Sequence, residues 1–142
     1  PGRAIALMRD PQALERRQQL LQDLWELLGG RRNRRFDYVR KALDAPELEG
    51  RRRQATEMLE VWLSVWRDAL LQAHGGQVPP GNPDQSQQVQ WLAAREGAED
   101  LGHGLRRLDS ALEAIESNAN LRLALETCML DLPYVDGERR RG

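Results

Sequence analysis

A chain of 142 residues that is 40% apolar and 30% charged, with a net charge of −1, is long enough for one domain with a substantial core. It contains no run approaching the roughly 18 apolar residues of a spanning helix, and no signal peptide, which points to a cytoplasmic, non-membrane protein. The single cysteine, Cys128, rules out an internal disulfide and a multi-cysteine metal site.

The chain opens Pro1-Gly2-Arg3 without an initiator Met, so residues 1–9 read as the last turns of a helix that begins upstream. Asp10-Pro11 then restarts the chain, with Asp at the N-cap and Pro at the first helical position, where a missing N–H costs nothing. Leu14, Leu21, Leu24, Trp25 and Leu28 form the stripe of a helix that Gly29-Gly30 ends, and Leu20 and Leu27 widen it. The following segment, 31–43, carries Phe36, Val39 and Leu43 at helical spacing.

Arg31, Arg32, Arg34 and Arg35 crowd the opening turns of that segment. Cations there oppose the helix dipole, so local propensity does not explain them. They leave two readings open: a solvated or partner-facing surface, and a phosphate-binding one. Between residues 31 and 53 nine bases stand against four acids, whereas from 84 to 133 nine acids stand against four bases. The two halves are oppositely charged.

Ala45-Pro46-Glu47 starts a helix carried to about His74. Its buried side is marked by Met58, Leu59, Trp62, Val65, Trp66, Ala69, Leu70 and Ala73, with Glu57, Glu60, Ser64, Arg67, Asp68 and Gln72 outside. At nearly thirty residues it would be the longest strut, about 40 Å. Trp62 and Trp66, one turn apart on the apolar stripe, read as core anchors ahead of ligand-stacking residues. Gly75-Gly76 stops this helix, and 77–81, with Pro79-Pro80, is the one plainly irregular loop.

Asn82-Pro83-Asp84 repeats the cap-plus-proline device and opens a short helix through Val89, Trp91 and Leu92 to about Arg95. Residues 96–104 are interrupted by glycines, and Gly102-His103-Gly104 reads as a soft helix start. A strict stripe follows: Leu101, Leu105, Leu108, Leu112 and Ile115. The last helix lies within 117–134, capped by polar residues and closed by Pro133. Leu121, Leu125, Cys128, Met129 and Leu132 make one apolar face, and Leu123 and Leu130, seven apart, make a second. Arg122 and Glu126 form an i,i+4 pair in the polar seam between them. Such a helix calls for cover on two sides, either as the centre of a bundle or with one side on a partner subunit. Residues 134–142 read as a polar, frayed tail.

The expected fold is therefore all-α, a bundle of about six helices. No positioned catalytic set appears. The only lysine, Lys41, follows no glycine-rich loop, His74 and His103 make no ligand set, and Cys128 reads as a packing residue. The reading is a non-enzymatic chain with no cofactor and no metal.

Three stretches carry a family resemblance. The closing run, Asn118-x-Asn120-x-Arg122-Leu123-x-Leu125-Glu126-x-x-x-Leu130-x-Leu132-Pro133, resembles the final helix of the δ′-subunit family of the bacterial DNA polymerase III clamp loader. Trp62-x-Ser64-x-Trp66-Arg67-Asp68 resembles the centre of that family's long collar helix. Pro1 to Leu7, followed by Arg9-Asp10-Pro11, resembles the end of its AAA+ lid. The resemblance spans nearly the whole chain and implies a division into the end of a lid helix (1–9), a C-terminal collar domain (10–133) and a tail (134–142).

It further implies a non-hydrolysing subunit, with Gly2 where active relatives carry a lid arginine and Arg3 one step on. The implied partners are the γ/τ and δ subunits, reached through collar packing, with DNA met only through the assembled complex. On this reading Leu123, Leu130, Arg122 and Glu126 are candidate subunit-interface residues. Arg31, Arg32, Arg34 and Arg35 are candidates for phosphate or partner contact. The alternatives are a γ/τ-type collar, or a stand-alone nucleic-acid-binding module using Arg31, Arg32, Arg34, Arg35 and Arg51, Arg52, Arg53.

Overall fold

The Asp10-Pro11 start behaves as its chemistry dictates. In the computed structural model, which describes residues 10–30, 32–76 and 81–133, the Asp10 carboxylate accepts from the Gln12 and Ala13 N–H groups at 3.0 and 3.3 Å. Five α-helices and one 3-10 turn make up the described chain: α1 (Pro11–Leu28), α2 (Arg32–Ala42), α3 (Leu48–Ala73), the turn Pro83–Gln85, α4 (Ser86–Glu116) and α5 (Leu121–Asp131). No strand occurs among the described residues, so the all-α reading stands. The expected upstream helix of residues 1–9, Arg31, most of the 77–81 loop and the tail 134–142 lie outside the described residues.

The difference between five helices and about six resides in α4. Two separate helices read from the sequence are continuous in outline but broken at Gly97, whose φ of 81° and ψ of 163° are non-helical. That backbone region is essentially reserved for glycine, so the break occurs where the residue permits it. It leaves α3 as the longest uninterrupted helix. The second half of α4 begins before the expected soft start, and Gly102-His103-Gly104 lies well inside it. Gly104 is there for space: a Cβ would stand 2.3 Å from the Trp66 indole nitrogen.

The long helices α3 and α4 pack against each other most extensively; α1 lies on α3, and α5 fills the angle between α4 and α2. Trp62 and Trp66 are fully buried at the centre, so the core reading of the pair holds. The Trp62 indole N–H donates to the Leu20 carbonyl at 2.9 Å, and its ring stacks near Tyr38 with 6.0 Å between centroids. Leu21, Leu24, Leu28, Met58, Leu92, Leu101 and Leu108 complete the interior. Ala73, placed on the buried side of α3 by periodicity, is exposed at the helix end.

Both ends where the chain doubles back use a residue at positive φ. After α3, Gly75 takes φ 70° and the Gly76 N–H returns to the Leu71 carbonyl at 2.8 Å. After α4, Asn118 takes φ 62° and the Ala119 N–H returns to the Ala114 carbonyl at 3.0 Å. Asparagine, with its short polar side chain, visits this conformation more readily than most residues with a Cβ. Two residues later the Asn120 side chain accepts from the Leu123 N–H at 2.9 Å and caps α5.

The connection from α3 to α4 explains Asp68, which is buried and not on the outer face of α3 as its spacing suggested. Its carboxylate accepts from the N–H groups of Gly81 and Asn82 at 2.9 and 2.8 Å and from the Asn82 side-chain amide at 3.0 Å. Asn82 therefore does not cap the following helix. It anchors the returning chain on α3, with a further bond to Ser64 at 3.1 Å, while Arg17 of α1 grips Asn82 and Asp84 from the other side.

Candidate subunit interface

Helix α5 has one apolar face inside the protein and one outside. Leu121, Leu125, Cys128, Met129 and Leu132, one turn after another, are buried against α4 and α2. Leu123 and Leu130 are 62% and 43% exposed, although every other leucine of this helix is buried. Burying such a side chain is worth roughly 1.5–3 kcal/mol, so two uncovered leucines on an ordered helix leave a sizeable favourable term unused.

Leu123 borders a shallow groove of about 280 Å³ between α4 and α5, floored by small residues including Ser110, Ala111, Ala114, Ala124 and Thr127. Small side chains on both helices let a third element approach closely. An ion pair from Arg107 to Asp131 (3.5 Å) stands at the rim. Arg122 and Glu126 pair on the outer seam at 3.1 Å, as their spacing predicts. Being exposed, this pair adds little stability, and its two charges stand on the solvent side of α5.

The candidate arginines divide. Arg31 falls outside the described residues and Arg32 is the first residue of α2. Arg34 is on the surface with its nearest carboxylate, Glu26, 4.0 Å away. Arg35 is fully buried and is not a surface contact residue. Its Nε donates to the Leu27 carbonyl at 3.0 Å, one terminal nitrogen donates to the Met129 and Leu132 carbonyls at 2.8 Å each, and the other donates to the Pro133 carbonyl at 2.6 Å. These are carbonyls at the ends of α1 and α5, where the i+4 partner of the helix interior is missing; that of Leu27 also receives the Gly30 N–H at 3.1 Å. A guanidinium placed there satisfies them and meets the negative ends of two helix dipoles. Arg35 was misread because it opposes the dipole of its own helix; its partners belong to others. The available signal was its position four residues before Val39, on the inner face of α2.

Arg52 does the same for α4, donating from one terminal nitrogen to the Ile115 carbonyl at 3.1 Å and to the Asn118 side-chain oxygen. Asn118 and Asn120, the paired asparagines of the closing run, thus have separate tasks, one in the turn and one in the cap. Sequence reasoning also missed the role of Asp68 and of Ser64, which join Trp62 and Trp66 in holding the neighbours of α3.

Burial pushes the Cys128 thiol up to about 12, with Asp131 acting in the same direction and Arg35 against it, so the thiolate is suppressed at neutral pH. Burial, then the hydrogen bond to Asp23 and its charge, raise the Tyr38 phenol far above its usual range. The Arg17 guanidinium holds the Asp84 carboxyl below the ordinary carboxylate value. Among the described residues no group of three or more His, Cys, Asp or Glu side chains is arranged to hold a metal ion, and no helix is long and apolar enough to cross a membrane. Comparison with protein-family models, curated proteins and solved structures finds no match for this chain.

Proposed function

We propose that this chain is a non-catalytic oligomerisation module of the clamp-loader collar type, packing through the outer face of α5 and the adjoining α4–α5 groove against a neighbouring subunit. The observation that carries the reading is the exposure of Leu123 and Leu130, 62% and 43%, on a helix whose other apolar face is completely buried. Leucines seven residues apart, the first of them beside a floor of small side chains, suit the ridges of a second helix. The resemblance of three separate stretches to the δ′-subunit family supplies the identity of the neighbours, the γ/τ and δ subunits, and the setting, DNA replication in the cytoplasm.

The alternative phosphate-binding surface built on Arg31, Arg32, Arg34 and Arg35 loses one of its four members to the interior. Mixing the chain with γ/τ and δ subunits and following it by size-exclusion chromatography tests the proposal. Co-elution with at least one of them is the expected result. Migration as a free chain with both, at concentrations well above those of a stable assembly, would remove the collar reading.

A further inference from the structure

A second surface, which none of the family motifs points to as a unit, forms where three helix ends converge. The last turn of α2, the first turns of α3 and the turn from α4 into α5 enclose an open groove of about 460 Å³. Four arginines from these three places, Arg40, Arg51, Arg52 and Arg122, line it together with Asn118 and Asn120, and no carboxylate is among its lining residues. Its apolar floor is made by Val39, Leu43, Leu48 and Leu121. Leu48 is 48% exposed there, which is unusual for a leucine at the start of a long buried helix.

The fold accounts for only part of this cationic charge. Arg51 gives one terminal nitrogen to the Ala45 and Pro46 carbonyls at 2.9 and 3.1 Å, and Arg52 gives one to the α4 terminus, all neutral acceptors. Arg40 and Arg122 pair with Asp37 and Glu126 of their own helices, local exposed pairs that exchange partners at small cost. Two of the helix ends facing the groove, those of α3 and α5, are N-termini, which themselves attract negative charge. Like charges drawn together against two dipoles weaken the isolated fold, and a ligand of opposite sign relieves the repulsion.

We infer that this groove binds an acidic, amphipathic segment of a partner protein, its carboxylates meeting Arg40, Arg51 and Arg122 and an apolar side chain seating on Leu43 and Leu48. The apolar floor and the absence of any aromatic side chain among the lining residues favour a protein segment over single-stranded nucleic acid, which is held by stacked bases. Arg52 positions the wall of the groove through its hold on the α4–α5 turn. Of the candidate interface residues only Arg122 lines this groove, and Leu123, Leu130 and Glu126 do not, so the inference does not depend on the collar reading.

The test is fluorescence anisotropy with the whole chain and three labelled probes: a helical peptide of roughly four turns with glutamates on one face and leucines on the other, the same peptide with lysines in place of the glutamates, and a thymidine oligonucleotide. The acidic peptide should bind and the lysine peptide should not. Arg40→Glu with Arg51→Glu should weaken binding at least about tenfold and Leu48→Ser at least about threefold. Circular dichroism of the variants, and their co-elution with γ/τ and δ, should stay as in the parent. No binding of the acidic peptide, binding unchanged in the arginine variants, or oligonucleotide binding tighter than peptide binding and indifferent to Leu48→Ser would each overturn the proposal.

Discussion

Replacing Arg35 by alanine removes the side-chain donor of four carbonyl oxygens, of which that of Leu27 keeps the Gly30 N–H at 3.1 Å. Hydrogen bonds from a charged group are each worth about 1.5–3 kcal/mol, so Arg35→Ala should destabilise the chain by about 3 kcal/mol or more, read from urea unfolding. Arg35→Lys should recover only part of this, because an ammonium lacks the planar fork that reaches α1 and α5 at once. A second outcome at this scale concerns alkaline pH. Both Cys128 and Tyr38 have raised values in the folded chain, so above pH 9.0, the ordinary thiol value, the native state retains protons that the unfolded chain has released. The sign is then fixed: stability falls as pH rises from there to about 12, steeply enough to follow by denaturant titration at several pH values. Residues with tertiary tasks were the least legible ones in the sequence. Asp68, Arg35 and Gly104 each break the expectation for their spacing, because the group that explains them is far away in the chain: the backbone of residues 81–82, the ends of two other helices, and the Trp66 ring.

Whole elements were far more legible. Each helix was announced by its apolar period, and Asp10-Pro11, Gly75 and Asn120 punctuate the chain as local backbone chemistry requires. The starts of α3 and α4 are the exceptions. Helix α3 begins at Leu48, after the proline and not at it, and Asn82 turns its side chain to Asp68 instead of capping the helix that follows. At Asn82 the bonds to Asp68 outweigh a capping interaction of about 1 kcal/mol, while at α3 the Ala45 and Pro46 carbonyls accept from the Arg51 side chain ahead of the helix. The break in α4 gives the prediction proper to this scale. Gly97→Ala places a Cβ in a backbone region that only glycine occupies freely, at a cost of about 1–3 kcal/mol even though no neighbouring atom lies within 4 Å of the new methyl group. Thermal unfolding should show the loss, while substitution of the half-buried helical Gly102 by alanine, whose Cβ would meet only the Arg106 side chain at 3.6 Å, should leave stability equal or higher.

For the molecule as a whole, the sequence exposed the second apolar face of α5 but not its surroundings. Seven-residue spacing was enough to put Leu123 and Leu130 opposite the core face, and periodicity could not say whether more of the same chain would cover them. The groove of small residues beside Leu123 comes from α4 and α5 together, so it became visible only once those helices were packed. The collar proposal stands on that pairing of exposed leucines with a shallow groove. Its most direct test is the double variant Leu123→Asp, Leu130→Asp, compared with the parent chain for thermal stability and for assembly with γ/τ and δ subunits. Both positions face solvent, so the unfolding free energy should change by no more than about 0.5 kcal/mol, while co-elution with the partner subunits is abolished. Assembly that persists unaltered in a folded double variant would contradict the assignment of this face as the interface.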